Sequence, residues 1–251
     1  MKQTKIIAHR GASNICPENT LPAFQKALEL HADGIELDIH MTQDHVLVVA
    51  HDERIDRVSN GKGMIRDYTL KELKSFDFGG WFGLEYTNVS LPTLEEVLEL
   101  IHDWDGLLNI ELKSGPIFYP GIEQAVLNMV RQHNKEDQVI YSSFNHYSLR
   151  EIKQIDPTAH IGLLYMTGLV EPWRYATFMK AETLHPLHYN IIPEMVKGCK
   201  AHHIALHPYT VDREEDIQAL LQLQVDGIIT NKPDVALQIR DKGGLLHETG
   251  L

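Results

Sequence analysis

Ile35-Glu36-Leu37-Asp38-Ile39-His40 alternates apolar and polar residues one by one. In an extended strand a period of two sends Glu36, Asp38 and His40 to one face and the three aliphatic side chains to the other. Asn109, Glu111 and Lys113 alternate in the same way against Leu108, Ile110 and Leu112. Two strands therefore aim carboxylates into one space, and the carboxyl ends of parallel strands are where (β/α) barrels build their active sites.

Outward from these two runs, short apolar or β-branched stretches recur at Lys5 to Ala8, Gln138 to Ser142, His160 to Tyr165, Glu182 to His185, His203 to His207 and Gly227 to Thr230. With Gly34 to His40 and Leu107 to Lys113 they make eight predicted strands. Helical spacing falls between them, at Leu21 to Leu30, Leu94 to Ile101, Gly121 to Gln132, Leu149 to Ile155 and Glu214 to Leu223. This alternation predicts a parallel sheet. Eight strands in 251 residues, 43% of them hydrophobic, predict a TIM-type (β/α)8 barrel as one domain over residues 1–251.

A ninth apolar run, Val46 to Ala50, follows the second strand after only Thr42-Gln43-Asp44. That is too short for the dozen-residue crossover a parallel neighbour needs, so a hairpin return is expected, folding His51 back beside Asp38. Residues 52–91 form an insertion, with Asn60-Gly61-Lys62-Gly63, a weakly helical Tyr68 to Ser75 and an aromatic, glycine-rich Phe76 to Phe82. Thr93 and Glu96 predict a capping box where the barrel resumes.

A formal charge of -12 argues against a nucleic-acid partner. An anionic small-molecule substrate would need a local cationic site. Met1 to Arg10 contains only Ile6-Ile7-Ala8 as an apolar run, and no stretch approaches a membrane span, so a soluble cytoplasmic protein without stable membrane insertion is expected. Cys16 and Cys199 do not make a disulfide framework. Of the fifteen histidines, position alone can promote any one.

Glu36, Asp38 and Glu111 in a confined space would repel one another unless a cation sat among them. Ordinary strand-end carboxylates paired with Lys113 are the plainer explanation of one such strand; two strands favour a metal. Oxygen donors without cysteine favour Mg²⁺ or Ca²⁺ over Zn²⁺. His9-Arg10-Gly11 ends the first strand and His51-Asp52 ends the hairpin return. Two imidazoles, an arginine able to fork onto phosphate oxygens and a hard metal suit cleavage of a phosphodiester. His202 and His203 are too close together on a strand to face one site, Pro186 separates His185 from His188, and His207-Pro208-Tyr209, ending the seventh strand, is open to two roles of equal weight, walling the substrate pocket or packing.

In order and spacing, His9-Arg10-Gly11 with Pro17-Glu18-Asn19-Thr20, then Glu36-Leu37-Asp38, His51-Asp52 and Ile110-Glu111-Leu112-Lys113, the chain resembles the glycerophosphodiester phosphodiesterase family of the phospholipase C-like phosphodiesterase superfamily. Leu91-Pro92-Thr93-Leu94 and Val225 to Thr230 are similar too. The resemblance implies hydrolysis of glycerophosphodiesters to glycerol 3-phosphate and an alcohol. It also implies His9 and His51 as the acid-base pair, Glu36, Asp38 and Glu111 as metal ligands, and Arg10 and Lys113 as phosphate contacts. Attack on phosphorus by the glycerol 2-hydroxyl, through a cyclic phosphate, and direct attack by water both remain open. Glu18 and Asn19 are assigned to shaping the loop and capping the helix.

Three positions depart from the family's pattern. Tyr209 replaces a tryptophan and Asp212 an asparagine in the His-Pro-Trp-Thr-Val-Asn of many relatives, and Asn231 follows Thr230 where an aspartate is frequent. These are expected to leave the catalytic set untouched, with Tyr209 bearing on the wall that meets the head group. A rival phosphodiesterase acting on lysophospholipids would need an apolar entry near the mouth, for which Phe76 to Phe82 is the candidate, although a packed lobe suits its glycines better. A scaffold that has lost catalysis is opposed by the intact set, and a zinc amidohydrolase by the lack of a His-X-His on the first strand.

Overall fold

The computed structural model describes residues 3–248, with side chains described to residue 242. The chain runs β1 (Lys5–His9), α1 (Leu21–Glu29), β2 (Gly34–Met41), β3 (Leu47–Val49), α2 (Leu70–Leu73), α3 (Leu94–Leu100), β4 (Leu107–Leu112) and α4 (Ile122–Gln132). It continues with β5 (Val139–Ser143), α5 (His146–Ile155), β6 (His160–Tyr165), α6 (Pro172–Met179), β7 (Thr183–Pro186), α7 (Pro193–Ala201), β8 (Ala205–Leu206), α8 (Glu214–Leu223), β9 (Gly227–Thr230) and α9 (Pro233–Glu248).

Eight of the strands are parallel, in the order β8-β7-β6-β5-β4-β2-β1-β9, and β3 is antiparallel to β2. The gap between β8 and β9 is spanned by Ile229 N→Pro208 O (3.0 Å) and Val211 N→Ile229 O (2.9 Å), which nearly closes the sheet into a barrel. The TIM-type expectation and the hairpin return are both met. Ile35, Leu37 and Ile39 are fully buried in the main core, together with Phe24 of α1 and Val97 of α3. Each such side chain contributes about 1.5–3 kcal/mol, so a one-residue slip that exchanged them for the carboxylates cannot compete.

Helix starts are chemically marked. Thr69 and Thr93 each close a capping box, with Glu72 and Glu96. α5 begins three residues earlier than its apolar spacing predicts because Asn145 caps it through Tyr147 N. α6 and α7, which the spacing does not reveal, open on Pro172 and Pro193, where the missing N–H costs nothing.

β8 is shorter than expected. His202 ends α7 and His203 turns left-handed (φ 59°), so neither lies on a strand, and only Ala205–Leu206 joins the ladder. The insertion packs Ile55, Val58, Ile65, Leu73, Phe78 and Leu91 into a small core of its own against Val48 and Ala50. Phe78 is therefore lobe interior, not an entry groove. Among the described residues, no helix is long and apolar enough to cross a membrane.

Candidate metal and catalytic centre

Register assembles the acidic group. β2 sets Asp38 beside Glu111 of β4, and Glu36 beside His9 of β1. One carboxylate oxygen from each of Glu36, Asp38 and Glu111 lies within 4.8 Å of the others, and all three residues are buried. Burial, with repulsion from Asp38 and Glu111, raises the Glu36 carboxyl well above its ordinary range. Burial and Asp38 push Glu111 up to about 7. Burial would raise Asp38 too, but Lys113, Arg10 and His51 outweigh it and hold that carboxyl well below the usual range. Asp38 Oδ1 is buried without a hydrogen bond, with Lys113 Nζ at 3.5 Å. Crowded, partly uncompensated carboxylates that lack any sulfur partner fit a hard divalent cation held by Glu36, Asp38 and Glu111.

Around the triad, β1 ends in a corner that turns Arg10 (φ 56°) and Gly11 (φ 78°) left-handed. A Cβ at Gly11 would meet the Ala23 backbone at 2.6 Å, so only glycine lets α1 approach. The corner points Arg10 N at Glu36 Oε2 (2.9 Å) and carries the guanidinium to Glu18 Oε1 (2.8 Å) and Asp38 Oδ2 (3.5 Å). Lys113 Nζ bonds Glu111 Oε1 at 2.8 Å. Arg10 and Lys113 thus border the triad, each held by carboxylates.

His9 Nε2 lies 3.9 Å from Glu36 Oε2 and His9 Nδ1 is 2.7 Å from Asn231 Oδ1. Burial and the Arg10 charge push His9 down to about 4, so it is neutral at pH 7. His51 reaches the same mouth because Ala50 N bonds Asp38 O at 3.0 Å, continuing the β3 return. His51 Nδ1 donates to Asp52 Oδ1 (2.6 Å). His40, on the acidic face of β2, is buried beneath it and bonds the His51 carbonyl (3.1 Å) and the Tyr119 hydroxyl (2.9 Å).

Tyr209 stands edge-on to Phe144 with ring centroids 5.9 Å apart and donates its hydroxyl to Tyr165 O (3.2 Å). Burial and the Glu111 charge raise its phenol.

Two expectations change. The helix cap of α1 is Thr20, whose hydroxyl accepts from Ala23 N, and Asn19 instead donates Nδ2 to Asp38 Oδ2 at 2.8 Å. Glu18 takes both Arg10 and a two-pronged bond from Arg57 (2.7 and 2.8 Å), and Arg57 Nε also holds Asp52 (2.6 Å). The insertion is thereby latched to the centre through a residue that no sequence pattern singles out. Asn231, expected to leave the catalytic set untouched, bonds His9 directly.

Fold and site define a class: a barrel with a buried acidic centre, cations and imidazoles at the carboxyl ends of its strands. The sequence model of the glycerophosphoryl diester phosphodiesterase family matches residues 9–235. The chain is 52% identical over 242 residues to a glycerophosphodiester phosphodiesterase of Caldanaerobacter subterraneus subsp. tengcongensis, covering 96% of this chain and 100% of that one. It is 41% identical to a glycerophosphodiester phosphodiesterase of Bacillus altitudinis, covering 95% and 99%. Among solved structures it is similar to an Oleispira antarctica phosphodiesterase in complex with the product sn-glycerol-3-phosphate, at 28% identity and a TM-score of 0.88 over 95% of this chain and 97% of that one. The chain belongs to the glycerophosphoryl diester phosphodiesterase family.

Proposed function

We propose that this protein hydrolyses glycerophosphodiesters to glycerol 3-phosphate and an alcohol. The observation that carries the reading is the buried Glu36, Asp38 and Glu111 group, bordered by two cations and two imidazoles. When bound there, a hard divalent cation, Mg²⁺ or Ca²⁺, supplies Lewis-acid charge to the phosphodiester. Arg10 and Lys113 neutralise phosphate oxygens from the rim. His9 and His51 handle protons: one takes the proton of the attacking hydroxyl or water, and the other delivers one to the leaving oxygen. Tyr209 walls the pocket against the head group.

The whole chain acts as one catalytic unit, with the insertion steadying His51 through Asp52 and Arg57. Cys16 and Cys199, both unbridged, suit a reducing compartment, and we propose a cytoplasmic location.

A second reading, cleavage of lysophospholipids, is favoured by one observation: Phe118, Phe144, Tyr147, Met166 and Tyr189 are exposed beyond the carboxyl ends of β4, β5, β6 and β7. Turnover of glycerophosphocholine and glycerophosphoethanolamine is compared with that of a lysophospholipid, each with Mg²⁺, Ca²⁺ or chelator. Metal-dependent release of glycerol 3-phosphate from the first two supports the main reading; cleavage of the lysophospholipid alone supports the second.

A further inference from the structure

A neutral imidazole carries one N–H and one lone pair, and which nitrogen holds the proton decides what it can do to a reacting oxygen. His9 offers Nε2 toward Glu36 and the mouth, so its work depends on what fixes Nδ1. An asparagine amide can be turned either way, presenting oxygen or NH₂ to Nδ1. Here the choice is made by Asp212. Its carboxylate only accepts, and Oδ2 lies 2.6 Å from Asn231 Nδ2, so the NH₂ must face Asp212 and the amide oxygen must face His9. Asp212 is itself anchored, its Oδ1 accepting from Asn231 N (2.9 Å) and from the Thr230 hydroxyl (3.1 Å). The Ser13 hydroxyl lies 2.7 Å from His9 O and 2.8 Å from Asn231 Oδ1 with one proton for the two, so the Asp212 carboxylate, not Ser13, sets the amide's orientation. Asp212 and Asn231 are therefore one feature, bonded to each other.

We propose that Asp212 and Asn231 form a positioning relay that holds His9 as the Nδ1–H tautomer, with the Nε2 lone pair facing the reacting atoms. The catalytic consequence rests on the role given to His9 under Proposed function; the tautomer itself does not. In Asp212→Asn the second side chain can both donate and accept, the amide at 231 is no longer pinned, and its NH₂ can turn to Nδ1 and drive His9 toward the Nε2–H form. Exchanging both residues, Asp212→Asn with Asn231→Asp, restores the pattern. A carboxylate at 231 accepts from Nδ1 and from the amide at 212, whose oxygen takes the Asn231 N and Thr230 hydroxyl bonds.

The test is long-range ¹⁵N–¹H correlation NMR of [¹⁵N]histidine-labelled protein with Mg²⁺ at pH 8, with His9 assigned by its loss in His9→Gln, alongside kinetics on glycerophosphocholine. Wild type should show His9 protonated on Nδ1. Asp212→Asn should lose that signature and about tenfold to a hundredfold in kcat, with KM within about threefold, and the exchanged pair should recover both. An Nε2–H His9 in wild type, an unchanged tautomer in Asp212→Asn, or an exchanged pair no better than the single variant would each overturn the relay. Should Asp212→Asn fail to fold, the wild-type spectrum and the exchanged pair decide. Wild-type protein without turnover overturns the proposed function and leaves the tautomer to be settled by the spectrum alone.

Discussion

Glu111→Gln should make the metal-free protein more stable at neutral pH while abolishing its use of metal. Burial and Asp38 push Glu111 from about 4.5 to about 7. Below about 4.5 the group is protonated in both folded and unfolded chains. Between 4.5 and 7 the unfolded chain releases the proton and the folded chain keeps it, so stability falls as pH rises, by about 1.4 kcal/mol per unit. By pH 8 the loss reaches up to about 3 kcal/mol, or roughly 6–12 °C in Tm for a chain of this size. His9 and His40, both pushed down to about 4, slope the other way in much of the same window. Folded below their unfolded value, they lose stability as pH falls from about 6.5 to about 4. The quantity to read is therefore the difference between wild type and Glu111→Gln, not either curve alone. Thermal unfolding in chelator from pH 4.5 to 8 should show the variant gaining on wild type as pH rises. Saturating Mg²⁺ or Ca²⁺ should close the gap by stabilising wild type, with about 2.7 kcal/mol at a hundredfold excess over Kd. A pH-independent difference in chelator would refute the crowding of charge from which the metal is argued.

Two further perturbations probe the surroundings. Asn19→Gly keeps the left-handed backbone (φ 55°) but removes the bond to Asp38, and calorimetric titration should find metal affinity lowered about tenfold to a hundredfold; unchanged affinity would return Asn19 to a loop-shaping role. His9→Ala and His51→Ala should each lose on the order of 10² to 10⁴ in kcat, and together far less than the product, while a nitrophenyl leaving group should rescue only the one that serves as acid. Strictly multiplicative losses would indicate independent roles.

The barrel and its acidic triad were legible because both follow from local period. Alternation in residues 35–40 and 109–113 dictates which side chains face inward, and the short link before Val46 permits only an antiparallel return. Partnerships among the inward groups were not legible. Asn19 could have capped α1, and Thr20 does so because the left-handed turn at Asn19 swings its amide onto Asp38. Asn231 meets His9 across 222 positions, through the neighbouring strands β9 and β1, a distance no local pattern spans. Arg57 belongs to an insertion whose own small core sets where its guanidinium lands. α6 and α7 escaped the apolar spacing, although Pro172 and Pro193 mark their first turns.

The central claim is that Glu36, Asp38 and Glu111 hold a cation on which phosphodiester cleavage depends, and metal-stripped protein assayed on glycerophosphocholine tests it directly. Turnover should be absent in chelator, return on adding Mg²⁺ or Ca²⁺, and fail to return in Glu111→Gln; full release of glycerol 3-phosphate by the stripped protein would contradict the account.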